Sequence, residues 1–168
     1  IGPKIVTVIV IFYLQSFKLY AQDKELLKAH NITHILSIHD NAAPILEDIA
    51  YLCISASDHS KTQHFKDSIM FIHESRMKGE GCLVHCVAGV SRSVTLVVAY
   101  IMTVTGRGWV ECLAAVRAAR PCAGPNLGFL RQLEEFENTE LAQVSVQVLN
   151  RIFLCLNEAS VQDNASVK

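Results

Sequence analysis

The feature that most constrains the fold of this chain is an apolar strand that runs directly into a loop and then into an apolar helix. Residues 82–85 form an apolar run that predicts a central, buried strand. Residues 93–105 are nearly apolar all round, which is typical of a helix enclosed by its own domain. Because no linker separates the two, residues 86–92 must close a tight loop between them.

The remaining elements are predicted from periodicity, with strands mostly early in the chain and helices later. The predicted strands are 5–14, 33–38 and 51–55, and the other predicted helices are 22–30, 62–78, 109–119 and 126–138. This order predicts an α/β fold with a central mixed, mostly parallel sheet of about four to five strands flanked by helices.

Charge and cysteine usage exclude several classes of function. The 168 residues carry a net charge of −1, so there is no broad basic field for nucleic acid or an anionic membrane, and any anion site must be local. The six cysteines form no C-x-x-C pair and no Cys/His ladder, which argues against a metal site and predicts free thiols in a reducing compartment. The apolar run 5–14 is too short for a transmembrane segment and has no small-x-small cleavage pattern after it.

The loop after the buried strand carries the residues with chemical potential. Backbone N–H groups of a tight loop and of a helix's first turn can together hold a tetrahedral oxyanion. These groups also favour the thiolate of a cysteine at the base of the loop, which makes Cys86 a candidate nucleophile. Arg92 can place its planar guanidinium over two oxygens of the anion. The positions that would hold this anion are Val87, Ala88, Gly89, Val90, Ser91 and Arg92.

Two neighbours of this loop have supporting roles. Ser93 follows the arginine and is placed to hydrogen-bond the sulfur, which would help the sulfur leave when a covalent intermediate is hydrolysed. His85 is expected to order the loop from behind. A buried structural thiol and a surface arginine would be the ordinary explanations of Cys86 and Arg92 taken singly, but their spacing together favours a site.

Residues 85–93, His-Cys-Val-Ala-Gly-Val-Ser-Arg-Ser, resemble the active-site signature of the cysteine-dependent protein phosphatases, in the form found in the dual-specificity branch. Segments outside the loop resemble the small atypical dual-specificity phosphatases linked to JNK signalling: 33–37, 71–74, 99–106, 125–129 and 132–136. The resemblance covers about residues 12–138, which we predict to be the catalytic domain. We further predict a divergent amino-terminal strand at 1–11, a carboxy-terminal amphipathic helix at 139–158 and a flexible tail at 159–168.

The resemblance assigns two further residues. Asp58 matches the family's general acid, which protonates the leaving oxygen and then, as a carboxylate, activates the hydrolytic water, with a helix-capping or loop aspartate as the alternative. Asn126 matches the asparagine that braces the phosphate loop, with a turn or helix-cap role as the alternative. For Arg120 and Arg131 a solvated helix face is favoured over substrate contact. The chain departs from the family in a shorter loop after Asp58 and in Tyr13-Leu14-Gln15-Ser16, where the family has Tyr-Leu-Gly-Asn.

The carboxy-terminal helix has an apolar stripe for which two explanations stand. Its members are Leu141, Val144, Val148, Ile152 and Cys155, widened by Val146, Leu149 and Phe153. Packing onto the domain core is favoured over a surface for a partner or a second copy, because exposed apolar stripes are uncommon on monomers.

The function implied by the resemblance is hydrolysis of phosphotyrosine and phosphoserine/threonine through a phosphothiolate on Cys86, without a metal or other cofactor. Phosphoproteins, with JNK-pathway proteins among them, are the expected substrates, and the cytoplasm, with the nucleus as a second compartment, is the expected location. A phosphoprotein-binding scaffold with little turnover is the alternative. An enzyme for a small molecule or phosphoinositide is a weaker alternative, because residues 87–90 contain no lysine. The oligomeric state is left open.

Overall fold

The structure, a computed structural model, describes residues 21–55 and 64–165. The strands are β1 (Ile32–Ile38), β2 (Ala50–Ile54) and β3 (Gly81–Cys86). The helices are α1 (Lys24–Ala29), α2 (Phe65–Met77), α3 (Arg92–Thr105), α4 (Trp109–Ala119), α5 (Leu127–Thr139) and α6 (Leu141–Ala165). Within these ranges every strand and helix predicted from periodicity is present, with small shifts at its ends.

The strands form a parallel sheet in the order β2-β1-β3. Ile35 on the central strand pairs with Tyr51 on one side and with Leu83 on the other. The α/β class is therefore confirmed, although the sheet has three strands within the described residues rather than four to five. The predicted strand at 5–14 lies outside them. Since parallel strands end at the same edge, Cys86 is placed where ligands bind in open α/β sheets.

Helices cover the two faces of the sheet unequally. On one face α1 packs against β1, and Leu27, Ile35 and Leu83 belong to a small apolar cluster. On the other face α2 and α3 lie against the sheet and enclose the larger core. The site at the end of β3 is thus supported mainly by this thicker helical layer.

Helix α3 is the centre of that layer. It is buried continuously from Ser93 to Thr103 and contacts β3 and four helices, α2, α4, α5 and α6. It ends at Gly106, whose backbone is left-handed (φ 68°) and whose N–H donates to the Met102 carbonyl at 2.8 Å. The prediction of a helix enclosed by the domain is confirmed.

None of the described helices is by itself long and apolar enough to cross a membrane, and α3 and α4 meet those criteria only as a pair bent by 119°.

Helix α6 packs one side of its apolar stripe onto the core. Val144 and Val148 are buried and Ile152 packs partly against the core, as the core-packing interpretation predicts. The rest of the stripe does not pack onto the core, because Val146, Leu149, Phe153 and Cys155 are exposed.

The end of α6 differs from the sequence-based expectation. The helix continues to Ala165, past the predicted end at Glu158, so the predicted flexible tail at 159–168 begins as helix. No glycine or proline interrupts residues 141–165, so nothing in the backbone chemistry requires the helix to stop earlier.

A buried histidine joins α2 to α3. His73 is 3% exposed, its Nδ1 lies 3.4 Å from the Tyr100 hydroxyl, and its Nε2 has no hydrogen-bond partner among the described residues. Burial lowers the pKa of His73 below its ordinary value of 6.5, and the charge of Arg76 lowers it further. Both effects disfavour the protonated ring in the folded protein.

We expect stability to fall as the pH is lowered below about 6.5. Because the folded-state pKa of His73 lies below its unfolded value, the unfolded chain binds more protons in this window and is favoured by acid. The measurement is the melting temperature between about pH 8 and pH 5. His73→Gln should make the decline in melting temperature shallower. Part of the decline should remain, because burial also lowers the pKa values of His34 and His85. His30→Gln, at an exposed position, is the control, and equal slopes for parent and His73→Gln would contradict the prediction.

Candidate active site

The candidate site is the loop that joins β3 to α3. Cys86 is the last residue of β3 and Arg92 is the first residue of α3. Cys86 is buried and Arg92 is half-buried, whereas Val87 at the start of the loop is 73% exposed. The buried sulfur therefore lies at the base of a loop whose rim faces solvent.

Gly89 turns the chain around this sulfur. Its backbone is left-handed (φ 65°), a conformation that strains residues with a Cβ atom, and its N–H donates to Cys86 Sγ at 3.2 Å. This hydrogen bond holds the sulfur within the turn of the loop. The sequence-based interpretation of Gly89 as a residue needed for close backbone approach agrees with this geometry.

The start of α3 completes the positive side of the site. Ser91 is the N-cap residue but makes no side-chain cap hydrogen bond, and the first turn contains no acidic residue. The partial positive charge of the helix N-terminus is thus not neutralised by a carboxylate in that turn, which suits an anion in the loop.

Ser93 contacts the sulfur from the helix. Its Oγ lies 3.4 Å from Cys86 Sγ, and the side chain is fully buried. A hydroxyl at this distance can hydrogen-bond a thiolate, which stabilises sulfur as a leaving group. This is the contact that the sequence pattern predicts.

His85 lies behind the loop, held by a residue that the sequence analysis did not identify. The Ser37 hydroxyl, on β1, lies 2.6 Å from His85 Nε2, and both side chains are buried. Burial lowers the pKa of His85, and the charge of His39 lowers it further. A hydrogen bond with the Cys86 backbone acts in the opposite direction and raises this pKa. The His85 side chain thereby links the neighbouring strand to the end of β3 that carries the cysteine.

Residues 120–126, which we term the bracing segment, hold the far side of the loop. Arg120 Nε donates to the Gly89 carbonyl at 3.1 Å, and the Gly124 N–H donates to the Val90 carbonyl at 2.9 Å. The Asn126 N–H donates to Ser91 Oγ at 3.2 Å. Since a trans peptide points its N–H opposite to its C=O, the N–H groups that follow these two carbonyls point away from the bracing segment.

The prediction for Arg120 is wrong, whereas that for Arg131 is confirmed. Arg120 is only 7% exposed rather than on a solvated helix face, and Arg131 is exposed. The signal was present in the sequence: Arg120 follows Leu113 and Val116, both buried on α4, at helical spacing. Its charge prevented that spacing from being recognised as a core-facing position.

Asn126 combines the two roles considered for it. Its side-chain Oδ1 accepts the Phe129 N–H at 2.9 Å and caps α5, while its backbone N–H makes the contact with Ser91. The helix cap therefore fixes the end of the bracing segment. The contact with the loop is made by the backbone N–H of Asn126 and not by its side chain.

Asp58, the predicted general acid, lies outside the described residues. In the part of the chain that is described, no three His, Cys, Asp or Glu side chains come together in a group that could hold a metal ion.

The cysteines are all free, and one is poorly placed to pair with Cys86. Cys82 is on the same strand, and four residues of extended chain separate the two by roughly 13 Å. Bridged cysteines have Cα atoms no more than about 7 Å apart. Burial also raises the pKa of Cys82 to about 12, so its thiol stays protonated at neutral pH.

A loop with a buried cysteine at its base, between a buried parallel strand and a buried helix with an arginine at its start, agrees with the class of phosphatase that the sequence resembles. Residues 12–139 match the catalytic domain of the dual specificity phosphatases, and the chain belongs to this family. It is a dual-specificity protein phosphatase, and the resemblance inferred from the sequence is confirmed.

Several relatives within the family are closely similar. The chain is 66% identical over 134 residues to dual specificity protein phosphatase 22-B of Danio rerio, covering 78% of this chain and 73% of the relative. Identity to human dual specificity protein phosphatase 22 is 60% over 134 residues, covering 78% and 72%. Identity to mouse dual specificity protein phosphatase 15 is 54% over 127 residues, covering 74% of this chain and about half, 54%, of the relative.

Solved structures share the fold. The crystal structure of DUSP15 matches with a TM-score of 0.74 at 46% identity, covering 83% of this chain and 90% of that one. A human tyrosine phosphatase-like serine/threonine/tyrosine-interacting protein matches with a TM-score of 0.66 at 34% identity, covering 69% and 83%.

We expect Arg120→Met to weaken catalysis although the side chain is remote in sequence from the loop. Loss of the contact with Gly89 should lower the melting temperature, since a hydrogen bond from a charged donor contributes about 1.5–3 kcal/mol to stability. It should also lower kcat/KM about tenfold or more, because small displacements of reacting groups are costly. The measurement is steady-state hydrolysis of an aryl phosphate with a parallel thermal melt. Arg131→Met, at an exposed position, is the matched control, and unchanged kinetics in Arg120→Met would show that the loop holds its shape without this contact.

Proposed function

We propose that this phosphatase hydrolyses phosphotyrosine and phosphoserine/threonine in proteins through a cysteinyl-phosphate intermediate on Cys86. The observation that carries the proposal is the position of Cys86 Sγ, which accepts the Gly89 N–H at 3.2 Å and lies 3.4 Å from Ser93 Oγ. The sulfur is therefore held as a nucleophile within the loop that would bind the phosphoryl group.

In the first half-reaction the thiolate of Cys86 attacks phosphorus, the P–S bond forms and the P–O bond to the substrate residue breaks. Arg92 and the loop N–H groups carry the negative charge of the phosphoryl oxygens. Asp58, protonated, gives its proton to the leaving oxygen, which departs as the free hydroxyl of tyrosine, serine or threonine.

In the second half-reaction a water molecule attacks the phosphothiolate and gives its proton to the Asp58 carboxylate. The P–S bond breaks, inorganic phosphate forms and the Cys86 thiolate returns. The Ser93 hydroxyl stabilises this thiolate as it leaves, because it lies within hydrogen-bond distance of the sulfur. Apart from the substrate and the hydrolytic water, each group in this proposed cycle is a residue of the chain.

The physiological substrates in this proposal are phosphoproteins, with proteins of the JNK pathway among them, in the cytoplasm and nucleus. The support is the resemblance of five separate segments to the JNK-linked members of the family. The phosphoprotein-binding scaffold is kept as the alternative because a solved structure of a phosphatase-like interacting protein shares the fold.

We expect Cys86→Ser to abolish steady-state hydrolysis of an aryl phosphate, since an alcohol in place of the thiol is not ionised at neutral pH. Cys155→Ser is the matched control, because Cys155 is a free and exposed thiol on α6, outside the loop and the bracing segment. Substantial turnover in Cys86→Ser would refute the covalent mechanism. A folded parent without turnover, combined with phosphopeptide binding that requires Arg92, would identify the scaffold instead.

The role of Asp58 is tested by varying the leaving group. Asp58→Ala should slow hydrolysis of an aryl phosphate with a poor leaving group by about 100- to 10,000-fold and affect one with a good leaving group much less, since the latter needs little protonation. The measurement is kcat for a series of substituted phenyl phosphates. Asp67→Ala, at an exposed position in the first turn of α2, is the control. An equal loss across the series would exclude Asp58 as the acid.

A further inference from the structure

A cleft of about 300 Å³ opens beside the phosphate loop, on the face of the sheet that carries α1. Cys86 and Val87 line it on the loop side, and His39, Ile45 and Tyr51 line it on the other. None of these last three side chains has a part in the phosphatase chemistry described above. A cleft of this size is at the lower end of ligand pockets and suits one side chain rather than a cofactor.

The chemistry of the cleft selects a neutral occupant. No Asp, Glu, Lys or Arg is among the described residues that line it. Ile45 and Val87 face solvent at 52% and 73% exposure, so both have apolar surface to bury. The Tyr51 hydroxyl accepts the Leu46 N–H at 3.2 Å, so this polar atom already has a hydrogen-bond partner in the protein's own backbone.

The position of the cleft specifies where its occupant comes from. Val87 is exposed on the rim of the loop next to Cys86, so a residue that flanks the phosphorylated one of a bound substrate can pass over it into the cleft. An extended peptide advances about 3.3–3.6 Å per residue, so a residue one or two positions from the phosphorylated one is within reach of a cleft that shares Cys86 and Val87. The cleft and the phosphate site are thus one continuous surface.

We propose that this cleft is a specificity subsite that accepts an apolar side chain flanking the phosphorylated residue of a phosphoprotein substrate. The inference rests on the proposed function and adds to it the sequence context that the enzyme prefers. Burial of the substrate side chain between Ile45 and Val87 removes apolar surface from water on both partners. For a charged side chain there, the described lining residues offer no Asp, Glu, Lys or Arg as an ion-pair partner.

The test compares phosphotyrosine peptides that carry Leu, Asp or Lys at each of the two positions before and after the phosphotyrosine. At one or more of these positions, kcat/KM for the Leu peptide should exceed that for the Asp and Lys peptides by about tenfold, as expected of a small hydrophobic pocket. Ile45→Asp should abolish that preference, because it places a charge in the cleft.

The control variant is Val110→Asp, which puts the same charge on an exposed apolar position at the far end of α4 from Arg120 and should keep the preference for Leu. Hydrolysis of a small aryl phosphate separates the two proposals, since it needs the phosphate site but no flanking residue. Its absence in the parent would refute the proposed function, whereas Ile45→Asp should retain it.

Equal kcat/KM for the three peptides at every position overturns the subsite while the phosphatase function stands. A preference for Leu that survives in Ile45→Asp also overturns it, because the apolar contact then lies elsewhere. A peptide kcat/KM that changes with enzyme concentration in the parent but not in Ile45→Asp would assign the cleft to a second copy of this chain.

Discussion

The burial of α3 on all sides is the constraint on which the site depends. The helix contacts β3 and four other helices and is buried from Ser93 to Thr103, so its first turn cannot shift without opening the core. Because β3 is equally buried, the two ends of the phosphate loop are fixed relative to each other. The Cys86 sulfur and the backbone of Arg92 therefore start from defined positions before any substrate binds.

The loop between these fixed ends is shaped by a second, independent set of contacts. Gly89 supplies the left-handed turn. Residues 120–126 donate hydrogen bonds to the carbonyls of Gly89 and Val90 and to the hydroxyl oxygen of Ser91. Directing carbonyls outward by hydrogen bonds leaves the opposite side of each peptide for an anion. Catalytic geometry thus rests on a segment that begins more than thirty residues after Cys86, which is a form of preorganisation.

Residues within the loop could be predicted from sequence, whereas residues that support it from a distance could not. Cys86, Gly89 and Ser93 are local in the chain, so the spacing of strand, loop and helix was enough to place them. Ser37 and Arg120 reach the site only through sheet pairing and helix packing. Arg120 was misinterpreted because a charged side chain is ordinarily exposed, and here its hydrogen bond to a carbonyl offsets the cost of burial.

By itself the sequence determined the α/β class, the order of the described elements and the position of the phosphate loop, because hydrophobic periodicity and glycine placement act over short distances. Only the tertiary structure decided which far residues brace that loop, that the widened stripe of α6 stays exposed at Leu149 and Phe153, and that an apolar cleft adjoins Cys86. These features depend on how separate elements pack, and a side chain's own chemistry does not specify which distant neighbour it will meet.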